Sequence, residues 1–277
     1  MRFRLYREHG ALNSKPVFDA FEQGARSLGH EIVNSDDAIP VIWSVLWQGR
    51  MQANQAIYKK FRNLNKPVVI IEVGNLKRGH TWRICVNHIN GLGDFGNFQE
   101  LDLNRPQKLG ISLQPVKENR RQEILIASQH RASLQWEGMP SMSQWVEDTV
   151  KKIRNHSDRK IVVRPHPRSP ISINVPGVTI EIPKQIPGSY DDFDIDYNYH
   201  CVINHNSGPA VQAVIYGTPV ICDSTSLAGN LSGKFEEIES IQLSDRTDWF
   251  LNLCHTEWTV PEIAQGIPLK RLESKIL

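Results

Sequence analysis

The sequence predicts an α/β protein made of doubly wound, mainly parallel sheets, and three observations support this. Short apolar runs alternate with longer segments that carry an apolar stripe, which is the pattern of βαβ units. The short runs are continuously apolar, as parallel strands buried on both faces are. The chain has 277 residues, enough for two domains of ordinary size.

The first half of the chain reads as an N-terminal domain over residues 1–110. Strands are predicted at residues 3–6, 32–33, 40–47 and 68–71, and helices at residues 15–28 and 51–64. Ser14 stands where a residue can cap the first helix, and Gly29 stands where a glycine ends it. The alternation of strand and helix predicts a Rossmann-like domain.

The second half reads as another α/β domain over residues 122–255, with residues 103–121 as the connection. Strands are predicted at residues 123–127, 161–163, 178–180, 201–203 and 220–222. A helix capped by Ser143 follows the first of these strands, and Gly217 is the expected C-cap of the helix that starts near Pro209. Residues 256–277 are expected to form helices that pack back on the N-terminal domain.

Composition describes a soluble globular protein, with 40% hydrophobic and 22% charged residues. The apolar runs are too short to cross a membrane, and the first ten residues lack the apolar centre of a signal peptide. The four cysteines are scattered without a CxxC pair, and the histidines show no metal-binding spacing. A cytoplasmic protein without a metal site and without a membrane partner is therefore expected.

Charge is divided unevenly along the chain. Residues 1–120 hold 17 lysines and arginines against 11 acidic residues, a net charge of +6, and the remainder carries −4. Lys77, Arg78, Trp82 and Arg83 add a cluster of cations around an aromatic residue. Such a cluster suits a nucleic-acid backbone. The alternative is a solvated basic surface without a partner.

Polar residues follow three predicted strands of the second domain. Parallel strands bring their carboxyl ends to one edge, where open α/β sheets bind ligands. Arginines, histidines and the amino terminus of a helix at one edge would suit a diphosphate. The candidate residues are Gln129, His130, Arg164, His166, Arg168, Asn206, Ser207 and Gly208. The alternative for the last three is an ordinary βαβ turn with a capped helix.

Two stretches of the second domain, HPRSP and NSGPAVQAVIYGTPVI, resemble the nucleotide-sugar-binding domain of GT-B glycosyltransferases. The likeness is to capsular-polysaccharide transferases and to transferases encoded by phages, and it covers about residues 122–230. The residues that match the pattern are Ser207, Ala213, Gly217, Pro219 and Val220. Gln212 stands where many such enzymes have a glutamate that holds sugar or ribose hydroxyls, and an amide can also bind a diol.

The resemblance implies two Rossmann-like domains facing a cleft, with the donor in the second and the acceptor in the first. The donor would be a nucleotide sugar, with a UDP-sugar expected, and the chemistry would need neither metal nor cofactor. For an inverting transfer, a base must deprotonate the acceptor hydroxyl. Asp94, in a glycine-rich loop at residues 87–98, is the first candidate, and Glu72, at a strand end, is the second. Their alternative roles are a turn former and an ion-pair partner.

The expected acceptor is a hydroxymethylated pyrimidine base in phage DNA, which makes DNA a partner and the host cytoplasm the location. The transferred sugar would be a hexose or a pentose. A polysaccharide or a lipid-linked saccharide is the alternative acceptor. A third possibility is a nucleotide-binding α/β module that binds the ligand without turnover.

Overall fold

The computed structural model describes residues 1–96, 100–189 and 192–277. The chain forms two compact units. Unit 1 comprises Met1–Ile111 together with Leu251–Leu277, and unit 2 comprises Ser112–Phe250. Each unit has a sheet and helices, so the α/β class is confirmed. The GT-B arrangement of the two units stays a prediction.

Strands of the two units alternate with helices along most of the chain. The strands are β1 (Arg2–Leu5), β2 (Glu31–Ile32), β3 (Ile39–Trp43), β4 (Val69–Val73), β5 (Trp82–Val86), β6 (Ile124–Ala127), β7 (Ile161–Arg164), β8 (Val178–Ile180), β9 (Lys184–Gln185), β10 (Phe193–Asp194), β11 (Cys201–Ile203), β12 (Val220–Ile221) and β13 (Glu257–Trp258). The helices are α1 (Lys15–Ser27), α2 (Asn54–Asn63), α3 (Arg105–Leu109), α4 (Met142–Arg154), α5 (Gly208–Tyr216), α6 (Thr247–Cys254), α7 (Val260–Ala264) and α8 (Ile267–Ile276).

The sheet of unit 1 is mixed, with the strand order β13-β5-β4-β3-β1-β2. Strands β2, β1, β3 and β4 are parallel, whereas β5 runs antiparallel to β4. Trp82 lies opposite Val73, and Val86 lies opposite Val69. Strand β5 therefore begins at the carboxyl edge of the parallel strands and ends at their amino edge.

One face of the unit 1 sheet is covered by α1, α7 and α8. Phe18 and Phe21 of α1 are buried there with Ile263 of α7 and Leu272 and Ile276 of α8. These apolar positions recur at helical spacing, so each helix presents one apolar stripe to the sheet. The segment after residue 250 thus completes the core of unit 1.

The larger sheet of unit 2 is wholly parallel, with the order β12-β11-β6-β7-β8. Strands β6, β7, β11 and β12 are almost entirely buried, which explains their continuous apolar sequences, whereas the edge strand β8 is mostly exposed. Val146, Val150 and Ile153 of α4 pack against this sheet. Strands β9 and β10 form a separate antiparallel pair.

Several local predictions are confirmed and others shift. Gly29 and Gly217 adopt φ angles of +78° and +95° beyond the ends of α1 and α5, as C-terminal glycines do. The cap of α4 is Ser141, whose Oγ accepts the N–H of Gln144, and not the predicted Ser143. Strand β5 is absent from the predicted strands, because the sequence analysis assigns its first residues, Trp82 and Arg83, to a cationic cluster. Within the described residues, no helix is long and apolar enough to cross a membrane.

Candidate functional site

The three predicted polar turns follow β6, β7 and β11 and lie at the carboxyl edge of the unit 2 sheet, where its parallel strands end. Strand β6 lies between β11 and β7, so their following residues are neighbours. The His166 N–H donates to Ser128 Oγ at 3.0 Å, and the Asn206 N–H donates to Gln129 Oε1 at 3.1 Å. These bonds join the end of β6 to the ends of both adjacent strands. The contact of these residues with a donor stays a prediction.

Two imidazoles lie together at this edge. The rings of His130 and His166 are 5.2 Å apart and nearly perpendicular. In each ring, Nδ1 lies 3.1 Å from the main-chain nitrogen two residues later, that of Ala132 or Arg168. Because Nδ1 accepts those N–H groups, a neutral ring carries its proton on Nε2. Burial, followed by the charges of Arg131 and Arg168, lowers the pKa of His130. His130 is therefore a neutral N–H donor at pH 7.

Helix α5 follows β11 in the chain, and β11 is the neighbour of β6, the strand that precedes His130. Ser207 is the N-cap residue, with extended backbone angles of −112° and −176°. Asn204 holds the turn, since its Oδ1 accepts the Ser207 N–H at 2.8 Å and its Nδ2 donates to Ala127 O at 2.8 Å. Proline at position 209 occupies the first turn, where a missing N–H costs little. The turn presents a helix amino terminus, which favours anions.

Two buried amides at this edge are oriented by their neighbours. Gln129 must present Oε1 to the Asn206 N–H, so its Nε2 points elsewhere. Thr225 donates its hydroxyl to Asp223 Oδ1 at 2.6 Å and can therefore only accept from Asn206 Nδ2, at 3.0 Å. Among the described residues, Gln129 Nε2 and Asn206 Oδ1 have no hydrogen-bond partner. An unmet donor and an unmet acceptor thus lie on neighbouring amides.

Arg164 is the last residue of β7, and most of its guanidinium group is hydrogen-bonded within the protein. Its Nε and Nη2 donate to Glu181 Oε1 at 3.1 and 2.6 Å, and Tyr199 donates to Glu181 Oε2 at 2.6 Å. Burial opposes ionisation of Glu181, but the bonds from Tyr199 and Arg164 outweigh it and lower the pKa of Glu181. Burial and the bond to Glu181 raise the pKa of Tyr199 to about 12. Of the three guanidinium nitrogens of Arg164, only Nη1 has no hydrogen-bond partner among the described residues.

The remaining predicted donor residues are more accessible. Arg168 is exposed, and Gln212 is half-buried on α5. A cavity of about 410 Å³ opens in unit 2 between residues 131–143 and residues 170–172, in the loops that follow β6 and β7. The cavity is therefore formed by the loops that follow two of the strands of this edge.

The two candidate bases of unit 1 lie at opposite edges of its sheet. Glu72 belongs to β4 and is half-buried near the carboxyl edge, where its Oε2 accepts the Ser44 hydroxyl at 2.7 Å. Asp94 follows β5 and pairs with Val86 through main-chain bonds, which places it at the amino edge. Its carboxylate lies 3.6 Å from Lys275 Nζ. Residues 97 and 98 of the predicted loop lie outside the described residues.

The predicted cationic cluster of unit 1 is only partly on the surface. Lys77 and Arg78 are exposed, but Trp82 is 8% exposed within the apolar core. Arg83 is 6% exposed, donates to Ile89 O at 2.7 Å and lies 3.7 Å from the fully buried carboxylate of Glu257. The expectation that Trp82 and Arg83 present themselves to DNA is therefore corrected, because the tertiary structure buries both.

Sequence reasoning missed several residues of both edges. Asp223 and Thr225 follow β12 and belong to the same edge of unit 2, so the strand-end argument could have found them. Gln135, which donates to Asn206 O at 2.8 Å, lies in a short 3₁₀ helix with no comparable signal in the sequence. Ser44, which holds Glu72, gave no signal because the sequence does not reveal its backbone conformation.

The chain matches no protein-family model, and a search of curated proteins found no match. Solved structures with a similar chain path include two glycosyltransferase structures from the same bacterium. One is described as Thermosulfurimonas dismutans KpsC, beta Kdo 2,4 transferase; it is 13% identical, with 92% of this chain and 90% of that chain covered and a TM-score of 0.49. The other is described as Thermosulfurimonas dismutans KpsC, beta Kdo 2,7 transferase; it is 12% identical, with 97% and 99% covered and a TM-score of 0.44.

Proposed function

We propose that the protein is a glycosyltransferase that moves a sugar from a nucleotide sugar to a hydroxyl group of a saccharide. The observation that carries this proposal is the carboxyl edge of unit 2. There, the α5 amino terminus and two imidazoles lie on three adjacent strand ends. N–H donors and a positive dipole end match the oxygens of a diphosphate. The proposed donor is a UDP-sugar, after the resemblance of residues 207–220 to GT-B enzymes.

The buried amides suggest a second donor contact. Phosphate oxygens only accept hydrogen bonds, so a diphosphate could satisfy Gln129 Nε2 but would oppose Asn206 Oδ1. A hydroxyl group both accepts and donates, and can meet the needs of both atoms. We therefore assign the diphosphate to His130, His166, the exposed Arg168 and the Ser207 turn, and a hydroxyl group of the nucleotide sugar to the two amides. Asn206 thereby changes from a predicted phosphate contact to a hydroxyl contact.

From the resemblance to GT-B enzymes, we propose that unit 1 binds the acceptor and carries the base. Glu72 is preferred to Asp94 because it lies at the carboxyl edge, where α/β sheets bind ligands. In an inverting transfer, the Glu72 carboxylate takes the acceptor hydroxyl proton while that oxygen bonds to the anomeric carbon. The bond from that carbon to the diphosphate oxygen breaks, and the electron pair leaves with the nucleotide. The N–H groups of unit 2 stabilise the released charge.

We favour a saccharide acceptor over DNA because fewer residues of the predicted basic cluster of unit 1 lie on the surface than the sequence suggested. Trp82 and Arg83 are buried, which removes the aromatic residue and one cation from the predicted DNA contact. Lys77 and Arg78 remain exposed. Hydroxymethylated DNA is therefore the competing acceptor in the experiment, and any transfer to it would restore the original expectation.

The donor site is tested by placing a negative charge at the amino terminus of α5. Aspartate is a good N-cap residue, so Ser207→Asp should leave the thermal midpoint at or above that of the parent protein. The same charge repels a diphosphate, and UDP affinity measured by calorimetry should fall about 10-fold or more. The matched control is Ser240→Asp, which adds the same charge at an exposed serine of the same unit; its neighbour Glu239 accepts from Arg159 before the start of β7, away from the carboxyl edge. Equal UDP affinity in both variants would refute the site.

The reaction is tested by UDP release from UDP-sugars in the presence of a saccharide mixture or hydroxymethylated DNA. Release that depends on saccharide and yields a glycosylated product supports the proposal. Release that depends only on DNA reassigns the acceptor. Binding of UDP without any release, over a panel of nucleotide sugars, would identify a nucleotide-binding module instead.

A further inference from the structure

Ser44 has an unusual backbone conformation at the carboxyl edge of unit 1. Its φ angle is +62°, and the other described residues with positive φ that are not glycine are Asn65 and Asn87. Asparagine visits the left-handed region readily, whereas for serine the conformation is costly. Ser44 follows β3 directly and is 3% exposed. Strained residues of this kind cluster at functional sites.

The surrounding bonds define where the Ser44 hydroxyl points. The Leu46 N–H donates to Ser44 Oγ at 3.2 Å, and the hydroxyl donates to Glu72 Oε2 at 2.7 Å. The Ser44 N–H donates to Ile71 O at 2.7 Å, which ties the strained residue to the neighbouring strand. The other carboxylate oxygen of Glu72 accepts the Val73 N–H at 2.8 Å. Each oxygen of Glu72 is thus held by one donor, and the side chain remains half-buried.

We propose that Ser44 is the positioning residue that holds the Glu72 carboxylate in place for the acceptor hydroxyl. This inference rests on the proposed function, in which Glu72 is the base. A glycine at position 44 would adopt the same backbone angles without strain and keep the N–H bond to Ile71. Compared with glycine, serine adds a hydroxyl group, and this hydroxyl donates a hydrogen bond to Glu72 Oε2. The hydrogen bond from the Leu46 N–H would be sufficient if the hydroxyl only stabilised the turn, so the additional bond to Glu72 indicates a further role.

The experiment compares Ser44→Gly with Asn65→Gly. Both substitutions place glycine at a left-handed position of unit 1, so Asn65→Gly controls for the general effect of glycine there. We expect Ser44→Gly to keep a urea midpoint close to that of the parent, because the released strain offsets the two lost hydroxyl contacts. Its kcat for sugar transfer should fall about 10–100-fold, the scale of a misplaced reacting group, with the KM for the nucleotide sugar unchanged. Asn65→Gly should retain the parental kcat.

A double variant separates positioning from general damage. If Ser44 acts through Glu72, adding Ser44→Gly to Glu72→Gln should cause no further loss of kcat, since the group it positions is already disabled. Losses that multiply would overturn the inference. Parental kcat in Ser44→Gly would also overturn it, while sugar transfer by the parent protein would leave the proposed function standing.

If the parent protein transfers no sugar, the proposed function is wrong. The urea midpoints still test the role of the Ser44 hydroxyl in that case. A midpoint for Ser44→Gly clearly below those of the parent and of Asn65→Gly would show that the hydroxyl serves the fold. Ser44→Ala keeps the strain and removes the hydroxyl, so its midpoint should lie below that of Ser44→Gly. The reverse order would contradict the backbone strain at Ser44 from which the inference starts.

Discussion

The large sheet of unit 2 is wholly parallel, whereas the sheet of unit 1 contains the antiparallel strand β5, and this difference decides which polar residues lie at the same edge. In unit 2, β11, β6 and β7 are parallel, and their polar ends meet at one edge. In unit 1, the chain returns through β5 antiparallel to β4. The loop after β5 is therefore carried to the amino edge, away from Glu72. A strand-end argument holds only as far as the strands remain parallel.

The largest expected effect tests whether the two edges of unit 1 differ in function. Glu72→Gln preserves shape and removes basicity, so sugar transfer should fall about 10²–10⁴-fold. Asp94→Asn should change turnover less than about threefold, because Asp94 lies at the amino edge beside Lys275 and lost exposed ion pairs cost little. Steady-state rates of UDP release measure both. A large loss in Asp94→Asn with full activity in Glu72→Gln would reverse the comparison.

A smaller effect is expected from the two arginines that follow β7. Arg164→Met leaves Glu181 and Tyr199 without their charged donor, so the free energy of unfolding in urea should fall by about 1–3 kcal/mol. Arg168→Met alters an exposed side chain and should change that free energy by less than about 0.5 kcal/mol.

Nucleotide affinity should follow the opposite order. The Arg168 guanidinium is accessible to a diphosphate, and its loss should weaken UDP binding about 10-fold in calorimetry. Arg164 retains only Nη1 for a ligand, so Arg164→Met should affect UDP binding less. An Arg164 variant that is stable but binds no UDP would return Arg164 to the donor site as the sequence suggested.

The smallest effect concerns acid sensitivity at the carboxyl edge of unit 2. Burial is the main cause that lowers the pKa values of His130 and His205 in the folded protein. Below the unfolded value of about 6.5, the unfolded chain binds these protons first, so stability falls as the pH drops. Urea unfolding at pH 7.5 and 5.5 should show this loss, and it should be smaller when both residues are glutamine. The pKa values of His88, His200 and His255 are also lowered, which leaves part of the loss in place.

Local sequence was sufficient where structure is local. The unit from β11 through α5 to β12 was predicted nearly residue by residue, because an apolar strand, a first-turn proline and the C-terminal Gly217 all agree. The polar ends of β6, β7 and β11 could be grouped for the same reason. What they bind stays a prediction.

Distant partners explain the failures. Arg83 reads as a surface cation, yet its place in the core depends on Glu257, which is far away in sequence. Strand β5 pairs antiparallel with β4, its neighbour in sequence, but its other edge is covered by the distant strand β13, so its burial could not be inferred locally. The φ angle of Ser44 likewise depends on its bond to Ile71 O, which comes from another strand.

Glu257 also imposes an order of events on the nascent chain. Its buried carboxylate accepts the Asn75 and Leu76 N–H groups and the Thr81 hydroxyl, and β13 covers the outer edge of β5. A ribosome makes residues 1–111 first, then the whole of unit 2, and only afterwards residues 251–277. Until then, β5 has an open edge and Arg83 lacks its counter-charge, which is a setting prone to aggregation. The unit synthesised first is therefore the last to be finished.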